Sequence, residues 1–281
     1  YDYAADLIEK SGLTMFGQSQ LAALQNWISF LPERVIQQHP YLSVLLVWVG
    51  SLTGQSDLAK RHLVLADENI ASAPADLQSE IGCHIALLRA YATRNMGDLD
   101  SSIIHAQEAH KYLPANNVFL DCTIHLNLGG NYWLKGNFPA VEEPLERALS
   151  FINIPDVEYP ALAAAGFLAN TRLQQGRLNQ LESLCKNIVE NKNHSAHPAA
   201  AYVFLEQGEL LYERNDLEKA LKVLSRTIQV GDSPTHGQTG RFQDVERIDL
   251  AGIGRPNPHA DRFVQDDLIE PFPFSFRKLF R

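Results

Sequence analysis

The fold is decided by one stretch of sequence, Leu126-Asn127-Leu128-Gly129-Gly130-Asn131-Tyr132-Trp133-Leu134-Lys135-Gly136-Asn137-Phe138. A helix-forming run ends at Gly136, and a second apolar run starts at Phe138 and continues through Val141 and Leu145. Glycine tolerates the positive φ that lets a second helix fold back antiparallel to the first. The stretch therefore predicts a helix–turn–helix hairpin.

Similar turns recur along the chain at nearly constant spacing. A glycine, or in one case an asparagine, separates two apolar runs at Gly17, Gly54, Gly97, Gly136, Gly176 and Asn215. Successive turns lie 37, 43, 39, 40 and 39 residues apart, and a fixed period of this length is typical of helical-repeat proteins. Residues 1–230 contain no sustained period-2 alternation that would favour a sheet.

The turns predict six helical hairpins and an all-α solenoid. The first helices are expected near residues 3–16, 40–53, 78–96, 117–135, 159–175 and 198–214. The second helices are expected near residues 19–30, 57–71, 99–113, 138–152, 179–192 and 217–230. Prolines stand in the linkers between hairpins, where a helix can end or begin.

Composition restricts the classes of function. The 281 residues are 45% hydrophobic, and the net charge of −9 argues against direct contact with nucleic acid. The longest apolar run, Tyr41 to Val49, is too short to span a bilayer. Cys83, Cys122 and Cys185 form no CxxC pair, which favours buried, reduced thiols in a cytoplasmic protein over a disulfide framework or a metal site.

No catalytic or metal-binding motif is evident. His84, His105, His110 and His125 do not form an HExxH pattern and are interpreted as surface or packing residues. Adjacent acids such as Glu142 and Glu143 point to different sides of a helix and are interpreted as solvated residues. We therefore expect no enzymatic activity, no cofactor and no metal.

The hairpin resembles a tetratricopeptide (TPR) repeat. The shared markers are Leu128-Gly129 and Tyr132 before the turn and Ala148 twelve residues after it. The resemblance implies a right-handed superhelix whose first helices line a concave wall. A period nearer 40 than the usual 34 residues implies longer helices or longer connections.

The N-terminal part resembles a narrower family. Its markers are Trp27-Ile28 with Leu31-Pro32-Glu33, His39-Pro40-Tyr41-Leu42 with Trp48, and Gly54-Gln55-Ser56-Asp57-Leu58-Ala59. Residues 1–230 are similar to the helical-repeat sensor region of MalT-like activators, which are large LuxR-type, ATP-dependent bacterial transcription regulators. In that family a nucleotide-binding module precedes the repeats and a DNA-binding helix-turn-helix follows them. Because helical pattern begins at once after Tyr1, we interpret the chain as a fragment of such a protein.

Residues 231–281 depart from the repeat pattern and are predicted to form an irregular tail. The segment is rich in Gly, Pro, His and Asp, and it ends in Pro271-Phe272-Pro273-Phe274-Ser275-Phe276 followed by a basic tip. Three interpretations remain open: a flexible tail, a segment whose phenylalanines pack on the last helix or in a groove, and a departure from the natural reading frame.

Projection of the TPR register onto the first helices identifies candidate ligand contacts. Aromatic side chains alternate there with amide, guanidinium and carboxylate groups, a combination that suits a small polar ligand such as a sugar. The same aromatics could instead fill the space between helices. The candidates are Trp48, His84, Tyr91, Arg94, Trp133, Asn170, Tyr202, Glu209 and Tyr212.

Two functions are therefore considered. The first is a sensor domain that binds a small-molecule inducer or a regulatory protein and shifts its parent towards an oligomeric, ATP-bound, DNA-binding form. The second is a stand-alone TPR-type scaffold that binds a peptide in its concave groove.

Overall fold

The computed structural model describes residues 1–17 and 20–231, which form fourteen α-helices and no β-strand. In chain order the helices are α1 (Asp2–Gly17), α2 (Leu21–Ser29), α3 (Glu33–Gln38), α4 (Pro40–Thr53), α5 (Ser56–Asn69), α6 (Ala75–Asn95), α7 (Leu99–Lys111), α8 (Val118–Leu134), α9 (Glu142–Leu149), α10 (Glu158–Gln174), α11 (Leu178–Glu190), α12 (Lys192–Ala196), α13 (Ala201–Glu213) and α14 (Leu217–Gly231). Short 3-10 helices span Ile70–Ser72, Phe138–Ala140 and Pro198–Ala200. Apart from Gly231, the predicted tail lies outside the described residues.

All six predicted hairpins are present, as α1–α2, α4–α5, α6–α7, α8–α9, α10–α11 and α13–α14. Five of the six predicted turn residues have positive φ: Gly54, Gly97, Gly136, Gly176 and Asn215. Gly17 ends α1 beside residues 18 and 19, which are not described. The prediction of an all-α helical-repeat fold is confirmed, and the handedness of the superhelix stays a prediction.

The same pair of backbone hydrogen bonds closes the turns at Gly97, Gly136, Gly176 and Asn215. At the central hairpin, the Gly136 N–H donates to the Trp133 carbonyl and the Asn137 N–H donates to the Tyr132 carbonyl, both at 2.9 Å. The second bond spans five residues, as in a Schellman motif, and satisfies a carbonyl that the end of the helix leaves free. Each first helix therefore stops at a defined residue.

Small residues set the spacing between the two helices of a hairpin. A Cβ atom added at Gly129 on α8 would lie 2.4 Å from Leu145 Cδ2 on α9. At the equivalent place in the last hairpin, a Cβ added at Gly208 would lie 2.5 Å from Leu224 Cδ2. The leucine side chains thus occupy the space that a larger residue at either glycine would need.

The fourth hairpin corrects one sequence-based prediction. We expected a continuous helix over residues 138–152, but Phe138–Ala140 is a 3-10 helix and α9 begins only at Glu142. Pro144 explains the break, because it has no N–H to donate to the carbonyl of Ala140 in a continuous α-helix.

The three cysteines are buried and free, as predicted. Cys83 Sγ contacts the Ala109 carbonyl at 3.3 Å, and Cys122 Sγ makes the equivalent contact with the Ala148 carbonyl at 3.4 Å. Burial raises the pKa of the Cys83 thiol to about 12, so it stays protonated and unreactive at neutral pH. Among the helices described here, none has both the length and the apolar character needed to cross a bilayer.

The first helix packs across the inner side of later hairpins. The Phe16 ring at the end of α1 meets the rings of Trp48, Phe119 and Tyr159 at centroid distances of 5.6, 5.5 and 6.2 Å. Nearby, Thr14 Oγ1 donates a hydrogen bond to Asp156 Oδ2 at 3.2 Å. Phe16 therefore joins α4, α8 and α10 into one apolar core.

We expect Gly129→Ala to destabilise the protein although alanine is the better helix former. The added methyl group must displace the buried Leu145 side chain, and overpacking of this kind costs about 1–3 kcal/mol. Gly82→Ala on α6 is the matched control, because its new Cβ would meet only ordinary contacts at 3.7 Å. Urea unfolding of both variants checks this; equal stability of the two would contradict the close-packing interpretation.

Candidate functional site

The predicted site residues occupy three equivalent positions in the hairpins. Trp48, Tyr91, Asn170 and Glu209 lie six residues before the turn residue, Arg94, Trp133 and Tyr212 three before it, and His84 and Tyr202 thirteen before it. Steps of seven and three residues keep side chains on one face of an α-helix. In the structure this face joins neighbouring first helices, as the contacts below show. Whether these residues contact a ligand stays a prediction.

The candidates on α4 and α6 form a buried cluster. Trp48, His84, Tyr91 and Arg94 expose between 0 and 6% of their surface. Trp48 Nε1 donates to His84 Nδ1 at 3.0 Å, and His84 Nε2 lies 3.3 Å from the hydroxyl of Tyr41. The first bond assigns the proton of the imidazole to Nε2. Burial lowers the pKa of His84 to about 3, so the ring stays neutral and serves as a fixed packing element.

Arg94 continues this cluster towards the C-terminal hairpins. Its guanidinium lies 4.4 Å from the centroid of the Tyr91 ring, an arrangement that favours a cation–π interaction. A Cβ added at Gly130 would lie 3.4 Å from Phe167 and 3.6 Å from Arg94 Nη1. Gly130 occupies the position that Trp48 and Tyr91 occupy in earlier hairpins. Because glycine has no side chain, this position leaves space for the Phe167 ring and the Arg94 guanidinium. For this half of the candidates, the structure favours the interpretation that the side chains fill space between helices.

The candidates on α8, α10 and α13 other than Tyr202 form a different group, in which three of the four side chains are half-buried. Trp133 Nε1 donates to Asn170 Oδ1 at 3.1 Å, and Asn170 Nδ2 donates to the two carboxylate oxygens of Glu206 at 3.2 and 3.1 Å. Asn170 and Glu206 are buried, whereas Trp133 is half-buried. We call the residues Trp133, Asn170, Glu206, Glu209 and Tyr212 the inner polar patch.

Acidic side chains dominate the α13 side of the inner polar patch. Glu206, Glu209 and Glu213 follow one another at i, i+3 and i+7 and so share a helix face. Burial, and then the charge of Glu209, raises the pKa of Glu206 well above its usual 4.5, although the Asn170 hydrogen bond opposes this. Burial and the charge of Glu213 raise the pKa of Glu209 to about 7. At neutral pH this group of carboxylates can therefore both donate and accept hydrogen bonds.

The two tyrosines of α13 differ in their surroundings. Tyr202 is buried. A Cβ atom added at Gly166 would lie only 2.5 Å from the Cβ of Tyr202, so the close approach of α10 and α13 requires glycine at this position. Tyr212 is half-buried near the end of α13, three residues beyond Glu209. Tyr202 therefore belongs to the packing between helices, and Tyr212 remains available at the edge of the inner polar patch.

Sequence reasoning missed two residues of this region. Glu206 lies nine residues before its turn residue, whereas the projected site residues lie three, six or thirteen residues before theirs. Phe167 and Asn127 occupy the position of Glu206 in the preceding hairpins. Phe16 was missed because its importance comes from contacts with α8 and α10, more than 100 residues away in the sequence. For Glu206, the available signal in the sequence was an acidic residue between the apolar run 201–205 and Leu210 of α13.

We expect the contribution of Glu209 to the free energy of unfolding to fall as the pH rises from about 4.5 to 7. In this window the folded chain keeps a proton on Glu209 that the unfolded chain has released. Glu209→Gln should remove this contribution and so shift the slope of the unfolding free energy against pH in the positive direction, measured by urea unfolding between pH 4.5 and 8. Glu68→Gln, at an exposed position on α5, is the control. An unchanged slope in Glu209→Gln would show that Glu209 titrates alike in the folded and unfolded chains.

Comparison with known proteins agrees with this architecture. The family described as the MalT-like TPR region matches residues 83–241, more than half of the chain. The HTH-type transcriptional regulator MalT of Yersinia enterocolitica is 18% identical over 228 residues, which cover 80% of this chain and 25% of that protein. The chain thus spans about a quarter of the length of this curated relative. Six hairpins with shared turn and packing positions, together with the family match, lead to one conclusion: the chain belongs to the MalT-like TPR region family.

Proposed function

We propose that this chain is the ligand-sensing, regulatory helical-repeat domain of a MalT-like transcription regulator. The family membership and the similarity to a protein named as an HTH-type transcriptional regulator support a regulatory role. The proposed parent is a cytoplasmic protein of the LuxR type that binds ATP and DNA through modules other than this one. The domain itself performs no catalysis and needs no cofactor.

The observation that carries the proposal is the inner polar patch. The half-buried indole of Trp133 donates to the Asn170 amide, and this amide donates to the Glu206 carboxylate, so the hydrogen bonds hold the amide and one carboxylate in place. A second carboxylate, Glu209, shares the helix face of Glu206. Hydroxyl groups of a small polar molecule such as a sugar can donate to the carboxylates, while its apolar face packs against an aromatic ring. Polar side chains that are already held in place lose little conformational entropy when a ligand binds, and this favours binding.

The patch also offers a route from binding to regulation. It spans three successive hairpins, because Trp133 is on α8, Asn170 on α10, and Glu206 and Glu209 on α13. A ligand that contacts all three helices favours one relative arrangement of these hairpins. Such differential affinity for two arrangements is the requirement for a population shift in the parent protein.

Two other occupants of the superhelix are considered. A regulatory protein could bind in place of a small molecule and act through the same shift. A stand-alone scaffold would instead bind an extended peptide, and the half-buried Tyr212 at the rim is compatible with this second function.

The proposal is tested by thermal-shift measurements with a panel of neutral sugars and other polar metabolites, and in parallel with a peptide library. We expect a sugar-like metabolite to raise the melting temperature. Glu209→Gln and Trp133→Leu should each weaken its binding by about 10-fold or more, the loss expected for a hydrogen bond to a charged group or for an aromatic contact.

Trp27→Leu is the matched control, because Trp27 is 48% exposed on α2 in the first hairpin. This variant should bind the metabolite like the unmodified chain. A melting-temperature shift with peptides and none with any metabolite would contradict the sensor proposal and support the scaffold.

A further inference from the structure

A group of three potential metal ligands lies in the N-terminal part of the chain. It consists of Asp6 and Glu9 on α1 and His39 between α3 and α4. One ligand atom from each residue can be chosen so that all three lie within 4.8 Å of one another. The four histidines considered in the sequence analysis did not include His39.

The fold holds these three side chains in place. Asp6 and Glu9 are three residues apart on one helix and so share a face. The backbone N–H of His39 donates to the Val35 carbonyl, and its own carbonyl accepts from the Leu42 N–H, both at 3.0 Å. Pro40 follows directly and further restricts the backbone of His39. The imidazole is therefore presented by a fixed junction between two helices.

The distances suit an ion between the groups better than a direct ion pair. His39 Nδ1 lies 3.5 Å from Glu9 Oε2 and 3.9 Å from Asp6 Oδ1. A charge-assisted N–H···O bond is about 2.7–2.9 Å long, and His125 makes such a contact with Asp121 at 2.8 Å. Two ligands bound to tetrahedral Zn²⁺ at about 2.1 Å lie roughly 3.4 Å apart. Small side-chain adjustments would thus bring the three ligand atoms around one cation.

The surroundings of the three residues provide free space and no compensating positive charge. A cavity of about 120 Å³ adjoins the three residues, and Tyr41, Pro74 and Leu77 form part of its wall. Its described lining contains no lysine or arginine that could neutralise the two carboxylates. The volume is far below that of typical small-molecule pockets, yet it can hold a few water molecules. A cation here would keep open coordination positions filled by water.

We propose that Asp6, Glu9 and His39 bind a divalent transition-metal ion such as Zn²⁺. The donor set is one imidazole nitrogen and two carboxylate oxygens, with the remaining positions open to the cavity. Binding takes place with Nδ1 of His39 unprotonated and Nε2 carrying the proton. The ion links α1 to the junction of α3 and α4, and so fastens the first hairpin to the second.

The test uses the complete 281-residue chain, treated with a chelator and then titrated with Zn²⁺ by calorimetry. Co²⁺ serves as a second probe, because its visible absorption reports ligand type and geometry. We expect one site per chain that weakens at least about 100-fold in His39→Ala and in Glu9→Gln. Zn²⁺ should also raise the melting temperature of the unmodified chain and of neither variant.

His105→Ala is the matched control. The imidazole of His105 lies 3.4 Å from the Glu108 carboxylate on the same helix. Among the described residues, this pair has no third potential metal ligand close enough to complete a group like that of His39. The site should persist in this variant. His236 and His259 lie outside the described residues and are present in both variants. Any Zn²⁺ that they bind is therefore common to both titrations, and a site that is lost only in His39→Ala is the proposed one.

Three results would overturn the proposal: no Zn²⁺ binding by the unmodified chain, retention of the site in the variants, or equal loss in the His105 control. Circular dichroism establishes that each variant is folded. If His39→Ala does not fold, Glu9→Gln and the more exposed Asp6→Asn decide the question in its place.

Discussion

Five of the six hairpins depend on a backbone constraint at the end of the first helix. Gly54, Gly97, Gly136, Gly176 and Asn215 adopt positive φ, which ordinary side chains disfavour. The positive φ lets two backbone hydrogen bonds close the helix and reverses the chain. The second helix then packs antiparallel, and small residues such as Gly129 determine how closely the two helices approach. Spacing, register and the inner wall all follow from these turns.

The register explains why residues far apart in the sequence have equivalent positions, but the environment of a position changes along the chain. Near the N-terminus, Phe16 fills the space beside Trp48, so that aromatic residue lies in the core. Further along, Trp133 stays half-buried, donates a hydrogen bond to Asn170 and meets the ring of Phe167 at a centroid distance of 5.6 Å. One repeated face therefore provides apolar packing in the first hairpins and combines packing with polar groups in the last ones. This division is the physical basis for placing ligand binding at the inner polar patch.

Much of the fold could be predicted from the sequence, because glycine spacing and helical periodicity act locally. The hairpins and their turns follow from residues such as Gly136 and Asn215, and the departure at α9 follows from Pro144. The contacts across the inner wall could not be predicted in the same way. Phe16 meets Phe119 and Tyr159 only after several hairpins have stacked, and no local pattern encodes such a distance. For the same reason, the sequence indicated both Trp48 and Trp133 as candidate ligand contacts, and only the structure shows that Trp48 is buried and Trp133 is half-buried.

The central claim is that the inner wall is filled at Trp48 and open at Trp133, and tryptophan fluorescence tests it most directly. Three double Trp→Phe variants would each retain one of Trp27, Trp48 and Trp133. Acrylamide quenching should be strongest for the 48% exposed Trp27, intermediate for Trp133 and nearly absent for Trp48, which is 1% exposed. Quenching of Trp48 as strong as that of Trp133 would contradict the account, because it would mean that Phe16 does not close the inner wall.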